Sequence, residues 1–298
     1  MNNTIPFETW DVFTDRRFAG NQLAVIFGAD ALTAGAMQSI TREFGYSETV
    51  FLLDPESTGF DARLRIFTPG GELPFAGHPT VGAAVAIARR RDLEGKLVLE
   101  LAAGRFPVQV TGDGDVWHAE FENPNLPYCA GEGPAATLVE TALGLSVASV
   151  VTGPRRPRRC GAGIDFVYAA APLEAVRNAR LNTAAWEALA LGDACGVLLY
   201  APTARESPAD WHVRMFGPHI GVAEDPATGS AAAGLPAHLL AAGDLVDGGH
   251  DWRIEQGVEM GRPAEISVRF ELRESVFQSL HVGGHAVLVG SGEICYRP

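Results

Sequence analysis

The chain is short of positive charge, of cysteine and of long apolar runs, and each shortage removes a class of function. Lys and Arg total 23 against 36 Asp and Glu, for a net charge of −13. Nucleic acid is not an expected partner, because its phosphates would be repelled. No apolar run reaches the ~18 residues of a membrane helix, so no membrane partner is expected. The opening segment has no basic region followed by an apolar run, and no signal peptide is expected. Cysteines fall at Cys129, Cys160, Cys195 and Cys295, with no C-x-x-C spacing. That gives no support to a zinc or thioredoxin-like site, and scattered cysteines suit a reducing cytosol. A cytoplasmic location is therefore expected. There is no phosphate loop, dinucleotide fingerprint or G-x-S-x-G elbow, which leaves proton transfer without a cofactor as the natural chemistry. The one basic run, Arg155-Arg156-Pro157-Arg158-Arg159, is expected to be a solvated loop.

What the chain does have is a repeat. Arg65-Ile66-Phe67-Thr68-Pro69 leads into Glu72-Leu73-Pro74-Phe75-Ala76-Gly77-His78. Later, Arg214-Met215-Phe216-Gly217-Pro218 leads into Glu224-Asp225-Pro226-Ala227-Thr228-Gly229-Ser230. Each is a strand-like run, a Pro/Gly loop and an alanine-rich helical stretch. The likeness extends upstream, where residues 45–52 align with 192–199 and Glu48 falls opposite Cys195. A length of 298 residues suits two cores of about 150 each. Two such halves facing each other would build a cleft between them.

Strands are expected at Phe7–Phe13, Leu23–Phe27, Thr49–Leu53, Leu64–Phe67, Leu97–Leu101, Phe106–Val110 and Val116–Phe121. In the second half they are expected at Asp165–Ala170, Gly196–Tyr200, Trp211–Phe216, Val258–Gly261, Glu265–Glu271, Ser279–Val282 and Ala286–Gly290. Helical stretches are expected at Ala31–Phe44, Pro79–Arg91, Ala184–Leu191 and Ser230–Ala242, with a lone long helix in each half. This is not the strict βαβ alternation of a doubly wound fold. It predicts an α+β protein of two pseudo-symmetric domains, each a curved mixed or antiparallel sheet around a central helix. Val81–Ala88 is apolar nearly all round, so that helix should lie inside its sheet. The proline-bearing stretch Asn123–Pro127 is the expected linker, dividing residues 1–122 from 123–285.

Gly77 and Gly229 sit where a loop enters a helix, with backbone N–H groups free to bind a carboxylate or a developing enolate. His78 and Ser230 follow them, one able to relay a proton and the other to cap the helix. Asp225 lies in the second loop. Glu72 and Glu224 are repeat-equivalent and are read as braces. Glu48 precedes an apolar strand and has no acidic counterpart, so it is the candidate general base. His118, His212, His219, His238 and His250 are read as structural. His281 and His285 are separated by Gly283-Gly284, which makes a helical metal pair improbable, and no metal is expected.

Phe18-Ala19-Gly20-Asn21-Gln22, Gly45–Phe51, Glu72–Thr80 and Glu224–Ala231 together resemble the signature segments of the PhzF-like (phenazine biosynthesis) family. The resemblance implies a diaminopimelate-epimerase-like fold, with the active site between the domains and the last strand, about 286–298, returned to the first domain. It implies a homodimer and a small carboxylate-bearing substrate, as in the isomerisation of trans-2,3-dihydro-3-hydroxyanthranilate without metal or cofactor. It implies catalytic roles for Glu48, His78 and Asp225, and substrate-binding roles for Ser47, Gly77, Gly229 and Ser230. Related epimerases use two cysteines at the helix mouths, where this chain has Ala76 and Thr228. An epimerase or dehydratase on the same scaffold, or a non-catalytic binding protein, are the alternatives.

Overall fold

A computed structural model describes residues 3–296. The chain divides into two compact units, Met1–Glu122 with Gly283–Pro298, and Asn123–Val282. The first unit contains β1 (Asn3–Val12), β2 (Asn21–Ile26), α1 (Ala34–Phe44), β3 (Glu48–Leu53), β4 (Ala62–Thr68), β5 (Gly71–Leu73), α2 (Gly77–Arg91), β6 (Gly95–Leu101), β7 (Gly104–Asp113) and β8 (Val116–Glu122). The second contains β9 (Tyr128–Glu132), α3 (Ala136–Ala142), β10 (Arg158–Gly161), β11 (Asp165–Ala170), α4 (Leu173–Asn178), α5 (Thr183–Trp186), β12 (Val197–Pro202), β13 (Trp211–Gly217), β14 (Val222–Asp225), α6 (Gly229–Ala242), β15 (Gly248–Gln256) and β16 (Ala264–Arg273). The chain then enters β17 (Val276–Tyr296), one long strand where the sequence suggested two. Its C-terminal part pairs antiparallel with β1 in the first unit, from Val12↔Ala286 to Asn3↔Tyr296. Residues 297 and 298 of the expected last strand lie outside the described residues.

Both units use one pairing order. In the first, β2 runs parallel to β3, β3 antiparallel to β4, and β4 parallel to β6. In the second, β11, β12, β13 and β15 follow the same sequence of directions. Each sheet serves one apolar helix. In α2 every residue from Gly77 to Ala88 is buried. In α6 the run Ala231–Leu239 is buried throughout. Glycines let these helices approach their sheets closely. A Cβ on Gly82 would overlap Leu23, and one on Gly234 would overlap the Tyr168 hydroxyl, which donates to Ala231 O at 2.7 Å. Each buried Val, Ile or Leu in these helices contributes about 1.5–3 kcal/mol of transfer free energy.

The repeated acids are braces, as their repetition suggested. Arg65 grips Glu72 with two bonds of 2.7 and 2.6 Å. Arg214 grips Glu224 with bonds of 2.7 and 2.9 Å. Each pair ties the short strand before the helix, β5 or β14, to the strand it pairs with, β4 or β13.

Three local expectations need correction. Val258–Gly261 is a turn, not a strand, with Gly257 and Gly261 at φ of 74° and 71°. The basic run is not a free loop. Arg155 bonds Asp244 at 2.6 Å, Arg156 bonds Glu132 at 2.7 and 2.6 Å, and Arg158 is buried. The four cysteines are not all free thiols: Cys129 and Cys160 face each other across β9 and β10 and form a disulfide. No helix among the described residues is long and apolar enough to cross a membrane.

Two fully buried histidines of the second unit have opposite electrostatics. His238 accepts from the Tyr200 hydroxyl at Nδ1 (2.9 Å) and donates from Nε2 to Arg156 O (3.1 Å), which suits the neutral ring. Burial, with the nearby arginines, pushes its pKa down to about 4. His212 is also driven down by burial, but hydrogen bonds to Glu255 (2.7 Å) and Glu259 (3.0 Å) overcome this and raise it to about 9. Below pH 6.5 the unfolded chain takes up a proton that folded His238 refuses, so stability falls as pH drops from 6.5 towards 4. The His212 contribution is complete below pH 6.5 and is lost as pH rises towards 9. Each is on the order of 3 kcal/mol. Denaturant unfolding should therefore show a maximum near pH 6.5, with His238→Gln flattening the acid limb and His212→Gln the alkaline limb. Unchanged limbs in these variants would contradict the assignment.

Candidate active site

In the first unit, Gly45 ends α1 in the left-handed region at φ 65°, and its N–H bonds Thr41 O. The chain turns there so that Ser47 and Glu48 enter β3 beside β2. Glu48 pairs with Leu23, and the Ser47 hydroxyl donates to Asn21 Oδ1 at 3.2 Å. Glu48 Oε2 lies 3.5 Å from His78 Nε2. This is an ion-pair distance without hydrogen-bond geometry, and Glu48 Oε2 is buried with no hydrogen bond. Burial raises the Glu48 pKa above 4.5, and the neighbouring Ser47 side chain offsets part of the rise. A carboxyl so placed changes protonation state more easily near neutral pH than an exposed one.

His78 is buried and stands one residue inside α2, after Gly77. The helix has Ala76 at its N-cap, which offers no side chain to the first backbone N–H groups. Such a mouth favours an anion.

In the second unit, Gly229 opens α6 and Ser230 follows it, half-buried. Thr228 is the N-cap but does not cap the helix with its side chain. Its hydroxyl donates instead to Asp225 Oδ2 at 2.5 Å. Asp225 ends β14 and is buried. Thus Glu48, His78, Ser47 and Gly77 gather in the first unit, and Asp225, Gly229 and Ser230 in the second.

Strand register shows which of these groups the fold itself requires. Phe51 pairs with Arg65 in the first unit, and Leu199 with Arg214 in the second. Since Arg65 and Arg214 are equivalent, Glu48 corresponds to Gly196, one residue beyond the expected Cys195. A Cβ at Gly196 would overlap the carbonyl of Phe216. The second unit therefore has no room for a side chain where the first carries its carboxylate. Conversely, Ile66 pairs with Leu73 and Met215 with Asp225, so Asp225 stands where the first unit has leucine. A symmetric scaffold thus carries two acids at asymmetric positions.

Asn21, which holds Ser47, and Thr228, which holds Asp225, were not picked out from sequence as site residues. The contrast of Thr228 with Ala76 in the repeat was the available signal. Cys195 is half-buried and Cys295 exposed, and neither is a helix-mouth residue. Among the described residues no group of three His, Cys, Asp or Glu side chains could hold a metal ion.

A family model described as phenazine biosynthesis-like protein, PhzC-PhzF, matches residues 10–292. The chain belongs to this family. A trans-2,3-dihydro-3-hydroxyanthranilate isomerase of Pseudomonas chlororaphis is 36% identical over 95% of this chain and 97% of that protein. The crystal structure of a PhzF-family phenazine biosynthesis protein of Bacillus anthracis aligns with a TM-score of 0.87 and 25% identity, covering 99% of this chain and all of the other. A hydroxyproline epimerase of Agrobacterium vitis shares the fold alone, with a TM-score of 0.63, 13% identity and coverage of 98% and 91%. The architecture is the two-part α+β fold common to PhzF proteins and these epimerases. The protein is a PhzF-type isomerase.

Gly196→Ala should cost about 1–3 kcal/mol in denaturant unfolding, because the added methyl meets backbone. A neutral substitution would show that the second unit tolerates a side chain at this position.

Proposed function

We propose that this PhzF-type isomerase moves a proton between carbons of a small carboxylate-bearing substrate, without metal or cofactor, and that Glu48 is the shuttle. The observation that carries this is the half-buried Glu48 side chain, its Oε2 enclosed against His78 in the first unit, with a glycine at the equivalent position of the second. One base can take a proton from one carbon and, now neutral, return it to another on the same face. His78, beside it in the first unit, and Asp225, in the second, are the further catalytic groups of this proposal. Ser47, Gly77, Gly229 and Ser230 bind the substrate, the glycines through backbone N–H groups at the two helix mouths. The two-thiol racemase mechanism has no support, because the N-cap residues are Ala76 and Thr228. The relatives' substrate, trans-2,3-dihydro-3-hydroxyanthranilate, is the first compound to test. A cytoplasmic homodimer belongs to the same proposal.

With that compound, Glu48→Gln should fold normally and lose about 10²–10⁴-fold in kcat. Wild-type turnover in this variant would remove the shuttle. Because the base must be ionised and burial raises its pKa, kcat/KM should fall with acidification through a midpoint above 4.5. Light scattering should give about twice the 31.6 kDa chain mass. A monomer mass would remove the dimer.

A further inference from the structure

Gln256 is the last residue of β15, and its side chain is fully buried. Both ends of its amide bond to one loop. Its Oε1 accepts from Thr228 N at 3.1 Å. Its Nε2 donates to Asp225 O at 2.7 Å and to Thr228 Oγ1 at 3.0 Å. Thr228 Oγ1 in turn donates to Asp225 Oδ2 at 2.5 Å. The bonds form a directed chain from the Gln256 amide through the Thr228 hydroxyl to the Asp225 carboxylate. Each donor polarises the next. The following residue, Gly257, lies at φ 74°, and a Cβ there would meet Pro226 and Arg262 carbonyls, so the strand end is pressed against the same loop.

The first unit shows what this place looks like without such a chain. Ala62 and Arg63 pair with Leu99 and Glu100, as Trp211 and His212 pair with Ile254 and Glu255. Carrying that register forward one residue sets Leu101 opposite Gln256 in the repeat. Asp225 corresponds to Leu73 and Thr228 to Ala76. The three members of the polar chain are thus leucine, alanine and leucine in the first unit, which builds the same strand, loop and helix around them. Leu101 and Ala76 are buried there. Folding of such a unit does not require the polar chain. A buried amide whose bonds only satisfy its own neighbours gains little over an apolar side chain.

We propose that Gln256 and Thr228 are positioning residues for the reaction: they hold the Asp225 carboxylate in its working orientation at the mouth of α6. This rests on Asp225 belonging to the reaction, as proposed above. Neither residue touches the reacting atoms. Their effect passes through Asp225, by fixing the rotation of its carboxylate.

The test compares Gln256→Leu, Thr228→Val, Thr228→Ser and Asp225→Asn with the wild type. Gln256→Leu copies the first unit and should keep the fold. The probe is trans-2,3-dihydro-3-hydroxyanthranilate, and a crystal structure of each variant accompanies the kinetics. Gln256→Leu and Thr228→Val should lower kcat about 10- to 100-fold with little change in KM, because a small misplacement of a reacting group has that effect. Thr228→Ser, which keeps the hydroxyl, should restore wild-type kcat. The crystal structures should show the Asp225 carboxylate rotated in the first two variants and unmoved in the third. An unmoved carboxylate in both Gln256→Leu and Thr228→Val overturns the proposal, whether or not the probe is turned over. So does wild-type kcat in both while Asp225→Asn is inactive, and the role of Asp225 then stands. Wild-type kcat in Asp225→Asn instead overturns the catalytic role of Asp225 itself, and the positioning role with it.

Discussion

An alanine-rich helix with no polar face has to be enclosed, and that constraint shapes both units. From Gly77 to Ala88 not one residue of α2 reaches solvent appreciably, and α6 is enclosed in the same way. A sheet must be paired and curved to cover such a helix, and the helix must be built of Ala and Gly for the sheet to close on it. Enclosing the body of the helix leaves its N-terminal mouth as the place where polar backbone meets a ligand. On the proposed reading, the position of the chemistry is a consequence of burying the helix. The Arg–Glu braces then tie the short strand before each helix to the strand it pairs with, so that each mouth is held by bidentate ion pairs.

Symmetry separates scaffold from function in this chain. What the two units share is needed to cover a helix: the parallel and antiparallel strand order, the braces, and the glycines that open α2 and α6. What they do not share includes polar groups near those openings. Glu48 stands against Gly196, and Asp225, Thr228 and Gln256 stand against Leu73, Ala76 and Leu101. A polar group that the other copy replaces with an apolar one is not required by the shared fold. The same comparison explains why Glu72 and Glu224, although acidic and next to the site, are not candidates for catalysis.

Much of this was legible in the sequence, and the exceptions have physical causes. The α+β class and the buried helices followed from the repeat and from the apolar circumference of Val81–Ala88. The counterpart of Glu48 was misplaced by one residue. The turn from Gly192 to Gly196 is one residue longer than that from Gly45 to Glu48, and only the strand register reveals it. Strand β15 escaped notice because its buried positions, Trp252, Ile254 and Gln256, end on a polar residue that breaks the apolar alternation. That break was itself the mark of Gln256. The Cys129–Cys160 bridge depends on β9 pairing with β10 across 31 residues, and no local pattern announces it.

The central claim is that one carboxylate carries the proton. It is tested by the stereochemical course of the reaction. trans-2,3-Dihydro-3-hydroxyanthranilate would be deuterated at the carbon that loses its proton and converted in ordinary water, with the product examined by NMR and mass spectrometry. A single shuttle at Glu48 predicts that the retained deuterium appears at the receiving carbon on the face it left. Delivery to the opposite face would contradict it, because that requires a second acid on the other side of the substrate.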